Sequence, residues 1–200
     1  MTAILKVDEI QDTSGNNIIN ENANTITIGK SGDTVNLASG ATNNLGITEA
    51  DMFRLTANTN QGTDADVTSN IERVDDATFS KIGTGMSVSS GIFTFPSTGL
   101  YHVVLNPYIQ SDNDANALVY IYVSSDSGSS YDEVAIANTG INMNQIVRVS
   151  AYQSTFVNVT DASTFRVKFT TSSFAPNTNL AGSSDVNYTN FKFIRLGDSQ

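Results

Sequence analysis

The chain is 200 residues long, carries 20 Asp and Glu against 10 Lys and Arg, and has a formal net charge of -10. An acidic surface repels phosphate backbones and anionic lipid headgroups, so neither nucleic acid nor a membrane is expected as a partner. The lack of cysteine excludes disulfides, thiolate metal sites and cysteine nucleophiles, and no apolar run approaches the ~20 residues that insertion across a bilayer requires.

Residues 1–46 carry little hydrophobic mass and are predicted to form a docking segment followed by a short β stalk. Polar and apolar residues alternate in the same way in two short runs nine residues apart, 25–29 and 34–38. This pattern predicts two short β-strands, which we call rungs. Two rungs of this size cannot bury their own apolar sides, so we expect them to stack on other copies of the chain. The alternative is a disordered, Asn-rich leader. The predicted docking element is an apolar patch made of Ile4, Leu5, Val7 and Ile10.

A stretch of small residues at 38–46 predicts a domain boundary, and residues 47–200 predict an all-β sandwich. Short runs with strand alternation recur at a spacing of about ten residues, with turn residues between them and no helical pattern. The run 145–159 is long enough for a bent strand or a hairpin. The other predicted strands, apart from the central hairpin, are 53–57, 71–74, 78–82, 86–89, 117–123, 131–137, 164–170 and 188–196.

The centre of the chain is a predicted hairpin at residues 91–105. Phe93 and Phe95 alternate with smaller neighbours, which is typical of a strand that is buried on one face. The sequence Pro-Ser-Thr-Gly at 96–99 is turn chemistry, because proline presets one φ and glycine is free to adopt the other. The strand after the turn is apolar on both faces, so we expect it to be covered twice. Its apolar residues are Leu100, Tyr101, Val103, Val104 and Leu105.

The run 117–123 is also apolar on both faces. Alternate side chains of a strand point to opposite sides, so one apolar set is predicted to pack in the core and the other against another subunit. A closed cyclic oligomer is a simple way to hide such a face. The two sets are Leu118, Tyr120 and Tyr122 on one side and Val119, Ile121 and Val123 on the other.

The central hairpin resembles the G-x-F-x-x-P-x-x-G-x-Y core of the complement globular-head and tumour-necrosis-factor jelly rolls. Residues 191–194 resemble the aromatic last strand of that family, so the resemblance covers about residues 50–196. It implies a jelly-roll sandwich that forms a tight homotrimer and binds through its loops and outer surface. The chain departs from the secreted members because it lacks their collagen or coiled-coil stalk and any Trp. The matching positions are Gly91, Phe93, Pro96, Gly99 and Tyr101.

Residues 7–29 resemble the N-terminal segment of virion structural and tail-fibre-like proteins of marine bacteriophages, and residues 46–55 resemble the junction in the same group. This resemblance implies a location on the surface of the virion. It also fits the start of the chain, which has neither the basic segment nor the apolar core of a signal peptide, because lysis releases phage proteins.

We therefore expect a non-enzymatic, homotrimeric fibre or knob. It would dock on other virion proteins by its N-terminus and present its jelly-roll head to a host-surface receptor or glycan. Two alternatives remain open: a capsid decoration or head-fibre protein that stabilises or studs the head, and a glycan-cleaving spike.

No catalytic, cofactor or metal site is predicted. His102 is the only histidine, and we expect it to be structural because the sequence shows no partners for a metal site or a triad. The run 112–116 imitates the start of an EF-hand loop, but Ala117 and Val123 stand where that motif requires Gly and Glu. A solvated turn is therefore expected there, and a different calcium site that includes Asp126 or Asp132 is the alternative.

The predicted contact surface consists of the loops 111–116, 124–132 and 172–187. The cations, Arg54 among them, are scattered and are interpreted as strand-face charges that offset acidic loops. The contact residues singled out in these loops are Asp112, Asn113, Asp114, Asp126 and Asp132.

Overall fold

The computed structural model of the chain describes residues 9–11, 13–14, 17–22, 25–29, 31–35 and 46–200. The chain divides into two compact units, Met1–Asn43 and Asn44–Gln200. All regular secondary structure in the described part is β. A helix with the length and apolarity to cross a membrane is not found among these residues.

The first unit contains a small antiparallel sheet. Its strands are β1 (Glu9–Gln11), β2 (Asn17–Asn22) and β3 (Thr25–Ile28), which pair in the order β1-β2-β3. The first predicted rung corresponds to β3, but its partner is β2, with Ile19 opposite Ile28. The prediction missed β2 because its Asn-rich sequence has low β propensity.

The second predicted rung is wrong where the structure describes it, because Thr34 and Val35 lie outside any strand. Residues 36–38 of that rung lie outside the described residues. So do Ile4, Leu5 and Val7 of the predicted docking patch, whereas Ile10 is an exposed residue of β1.

The second unit is a sandwich of two antiparallel sheets, and the predicted all-β jelly-roll fold is confirmed. One sheet has the order β11-β8-β14-β4-β5 and the other the order β10-β9-β12-β7-β6, with β13 paired to β9. We call them the first and the second sheet. The strands are β4 (Ala50–Leu55), β5 (Ile71–Arg73), β6 (Ser87–Ser89), β7 (Ile92–Thr94), β8 (Gly99–Asn106), β9 (Tyr108–Ser124), β10 (Asp132–Ser150), β11 (Gln153–Val159), β12 (Arg166–Ser172), β13 (Asn179–Leu180) and β14 (Asn190–Gly197).

Two of the predicted elements differ from the structure. The strand expected at 78–82 is wrong: the Phe79 N–H donates to the Asp76 carbonyl at 2.8 Å, which makes a turn, and only Ile82 pairs with β4. The loop expected at 111–116 is also wrong, because these residues lie within β9. Their turn-forming sequence is accommodated instead by an irregularity in the β9–β10 pairing, where Asn113 adopts a φ of 52°.

The core lies between the two sheets and is centred on Phe93. Its ring centroid is 4.9 Å from that of Phe193 and 5.1 Å from that of Phe53. Phe95 packs against Tyr101 at 4.7 Å. The Tyr101 hydroxyl donates to the carbonyl of Ser97 at 3.1 Å, so the turn of the central hairpin is closed by a side chain from its second strand.

Strand β9 separates its two apolar sets as the alternation predicts. Val119 and Ile121 are fully buried in the core. Leu118, Tyr120 and Tyr122 lie on the opposite, outer face and are half-buried.

Gly91 cannot be replaced without strain, because its φ is 79° and a Cβ there would collide with the carbonyl oxygen of Val67. We expect Gly91→Ala to lower the free energy of unfolding by about 2–4 kcal/mol, from the left-handed backbone and the backbone contact together. Gly197→Ala is the matched control, since a Cβ there meets nothing within 4 Å. Urea unfolding of both variants measures the difference, and equal stabilities would contradict the prediction.

Candidate functional site

An apolar row crosses the outer face of the first sheet. Phe156 of β11 is opposite His102 of β8, His102 is opposite Ile194 of β14, and Ile194 is opposite Ala50 of β4. Ala50 in turn forms a bridge with Ile82. Phe156, His102, Ile194 and Ala50 each have a buried neighbour in the chain, so strand alternation places them together on the outer face. Ile82, which is 47% exposed, joins them through its bridge to Ala50. We call these five residues the apolar row.

The apolar row is exposed where large side chains are usually covered. Phe156 is 65% exposed although it lies in the middle of a strand, and Ile82 is 47% exposed. The His102 ring centroid lies 5.2 Å from that of Phe156. Two members of the row, Ile82 and Ile194, line a shallow cavity of about 200 Å³ together with the neighbouring Met52. A contiguous apolar surface of this kind is typical of a protein–protein contact.

The outer face of the second sheet is partly covered by side chains of the same chain, although Ile136, opposite Tyr120, is 38% exposed. The Lys168 Nζ lies 4.5 Å from the ring centroid of Tyr131 and 5.6 Å from that of Tyr122, and it pairs with Asp66 at 2.9 Å. The Tyr120 and Tyr122 rings are 5.7 Å apart. A subunit contact through this face, as the sequence suggests for Leu118, Tyr120 and Tyr122, stays a prediction.

The apolar row is hard to find in the sequence, because four of its five members lie outside the two runs that are apolar on both faces. A signal was present in β11: Ser154 and Asn158 occupy its outward positions, and Phe156 stands between them in the same phase. A single large aromatic residue in the polar phase of a strand indicates that the outer face is not simply solvated.

Asp112 and Asp114, two of the predicted contact residues, bind the segment before β13, and a role in contact with a partner stays a prediction. The Asp112 carboxylate accepts a bond from the Asn177 amide at 2.8 Å. The buried Asp114 carboxylate accepts the backbone N–H groups of Ala175 at 2.8 Å and Asn116 at 3.1 Å. These bonds hold the segment before β13 against β9. Within the described part of the chain, no group of three or more His, Asp or Glu side chains is arranged to hold a metal ion.

Asp126 closes the turn between β9 and β10. Its carboxylate accepts the Ser130 hydroxyl at 2.6 Å, the Ser130 N–H at 2.9 Å and the Ser124 hydroxyl at 2.7 Å. These bonds, those from Ser130 above all, lower the pKa of Asp126 from its ordinary value of 3.8 to about 2. Asp132 is exposed at the start of β10.

A lowered pKa means that the charged form of Asp126 favours the folded state. Its contribution is therefore fully present above pH 3.8 and is lost as the pH falls through about 2. We expect Asp126→Asn to lower the melting temperature at pH 7, and the deficit relative to the unmodified chain to shrink as the pH approaches 2. Calorimetry across this range tests the prediction, and a deficit that does not change with pH would contradict it.

A buried ion cluster lies on the outer face of the first sheet, at its β4–β5 end. The Arg54 side chain is only 1% exposed, and each of its nitrogens faces a different carboxylate. Nε lies 2.8 Å from Glu72, Nη2 lies 2.6 Å from Asp75, and Nη1 lies 2.8 Å from Asp76. Burial opposes the charge, but the bonds and the attraction from Glu72 and Asp76 outweigh it and raise the pKa of Arg54. This cluster is structural and carries no reactive group.

The second unit also has a pocket of about 390 Å³, which we call the end pocket. It is lined by Asn106 and Pro107 where β8 ends, by residues 150–152 from the end of β10 to the start of β11, and by residues 187, 188 and 190 around the start of β14. The first two segments are tied together, because the Ala151 N–H donates to the Pro107 carbonyl at 3.0 Å. The Asn106 amide donates to Asn190 at 2.9 Å, which ties in the third.

No family model and no curated protein matches the chain. Among solved structures it is similar to Eiger TNF from S. frugiperda, with 9% identity and a TM-score of 0.60 over 78% of this chain and 96% of that one. It is similar to murine APRIL, with 12% identity and a TM-score of 0.54 over 74% and 98% of the two chains. The PRD1 vertex protein P5 matches at 16% identity over 76% and 99% of the chains, with a TM-score of 0.46. The likeness to Eiger TNF and to murine APRIL shows a tumour-necrosis-factor-like jelly-roll fold.

Proposed function

We propose that the chain is a non-enzymatic, self-associating structural protein of a bacteriophage virion, exposed on the particle surface. Its first unit docks on other virion proteins, and its jelly-roll unit forms a homotrimeric knob for host attachment. The observation that carries the self-association is the apolar row, in which Phe156 is left exposed at mid-strand. The virion location is supported by the resemblance of residues 7–29 and 46–55 to phage structural proteins.

The occupant of the apolar row is a second copy of the chain. Lys192 lies on the same face, in register with Val104 and Met52, and adds a positive charge beside the row. The resemblance of the central hairpin to trimeric jelly rolls supports three copies. In a closed ring of three, each copy can cover the apolar row of its neighbour.

Multi-angle light scattering of the full chain tests the assembly. A mass of about three times 21.3 kDa supports the proposal, and a stable monomer at micromolar concentration contradicts it.

The place of the chain in the virion needs a separate experiment. Mass spectrometry of purified virions of the encoding phage, followed by a density map of the particle, tests for the chain and locates it. Density at the tail supports attachment, and density on the capsid supports decoration of the head. Absence of the chain from purified particles would overturn the proposal. Release of reducing ends from host polysaccharide would show that the knob is an enzyme after all.

A further inference from the structure

The end pocket has the size and openness of a small-ligand site. Its volume of about 390 Å³ falls in the usual range for such sites, ~300–1,000 Å³. It is built entirely within one copy of the chain. Its walls come from three connecting segments, β8 to β9, β10 to β11 and β13 to β14. None of its lining residues carries a formal charge. A neutral ligand is therefore favoured over a phosphate or a carboxylate, which the acidic chain would also repel.

The lining combines aromatic rings with free hydrogen-bonding groups. Tyr152 is 62% exposed, and Tyr188 is held by stacking on Tyr108, with ring centroids 4.9 Å apart and planes at 17°. Within the described part of the chain, the Asn187 amide, the Ser150 hydroxyl and both pocket tyrosine hydroxyls form no hydrogen bond. An amide supplies donors and an acceptor side by side, and a hydroxyl supplies both roles.

We infer that the end pocket binds a neutral sugar unit of a glycan. A pyranose ring has an apolar C–H face, which packs on a tyrosine ring, and a rim of hydroxyls, which exchange hydrogen bonds with an amide or another hydroxyl. Tyr152 and Tyr188 supply the first kind of contact and Asn187 the second. The biological role of this ligand, recognition of the host surface, rests on the proposed function, whereas the binding itself does not.

The test uses the full chain and methyl glycosides of glucose, galactose and N-acetylglucosamine. We expect at least one of these glycosides to bind with a dissociation constant in the millimolar range. Saturation-transfer NMR and tyrosine fluorescence follow the binding. Tyrosine fluorescence can be measured because the chain has no Trp. Tyr152→Ala should weaken binding about tenfold, the size of one aromatic contact. Asn187→Ala should weaken it to a similar extent. Val134→Ala, which trims an exposed apolar residue of β10 away from the end pocket, should leave binding unchanged.

Three outcomes would overturn the inference. One is that no glycoside binds up to about 20 mM. Another is that binding occurs but is the same in the Tyr152 and Asn187 variants as in the Val134 variant. The third is that adenosine, which also stacks on aromatic rings, binds in a way that depends on Tyr152 while the glycosides do not bind. Light scattering of the same samples separates this inference from the proposed function. Sugar binding by a monomer absent from virions contradicts only the function, and a virion trimer without sugar binding contradicts only the inference.

Discussion

Phe156→Asp is expected to convert the assembled protein into folded monomers. In the proposed assembly this side chain lies against a second copy, so the substitution removes a buried aromatic contact and places an unpaired charge in an apolar contact. The loss for each contact is at least about 2 kcal/mol, or about 30-fold in the association constant. In the separate chain the position is 65% exposed, so the monomer should remain folded. Light scattering gives the mass, and circular dichroism shows whether the fold persists.

Two further variants make this experiment decisive. Phe156→Leu keeps an apolar side chain and should stay assembled, which controls for the loss of the ring alone. Tyr120→Asp places the same charge on the outer face of the second sheet, the face that the sequence predicts as a subunit contact. Dissociation by Tyr120→Asp but not by Phe156→Asp would show that the contact lies on that face and that the apolar row is free.

The sandwich could be predicted because its strands bury alternate side chains. This alternation can be recognised within one strand at a time. Phe93 and Phe95 of the central hairpin point inward, and Gly91 is required by a backbone contact that no larger residue permits. Each of these features belongs to one strand or one turn. Such features can be recognised without knowing which strands are neighbours.

The candidate sites depend on which strands are neighbours, and the sequence could not supply that. The apolar row exists only because β11, β8, β14 and β4 lie side by side in one register. The end pocket joins residues as distant as Asn106 and Asn187. The run 112–116 shows the opposite error of sequence-based prediction. Its Asp and Asn residues favour a turn, yet they lie within β9 and pair with β10, with two register irregularities between Asp112 and Ala117.

Arg54 is the clearest case of a residue whose environment the sequence conceals, and its replacement should have the largest effect on stability. By alternation it belongs to the outer face of β4 and should be exposed, but the segment 72–76 folds over it and supplies three carboxylates. We expect Arg54→Ala to lower the free energy of unfolding by about 3–5 kcal/mol, because it removes three charge-assisted hydrogen bonds. This is less than their sum, since the Asp75 side chain is 74% exposed. The variant leaves these carboxylates facing one another without the cation that joins them.

Arg148→Ala is the matched control for Arg54. Arg148 is exposed, and its one side-chain contact in the described part of the chain is a 3.3 Å bond to Gln110, so its loss should change stability by no more than about 0.5 kcal/mol. Arg54→Lys keeps the charge but cannot face three carboxylates at once, and we expect it to fall between the two. Equal urea midpoints for the Arg54→Ala and Arg148→Ala variants would mean that the segment 72–76 is held by its packing alone. Since Glu72 lies in β5, next to β4 at the edge of the first sheet, a large loss would instead mean that the ion cluster fixes that edge beside the apolar row.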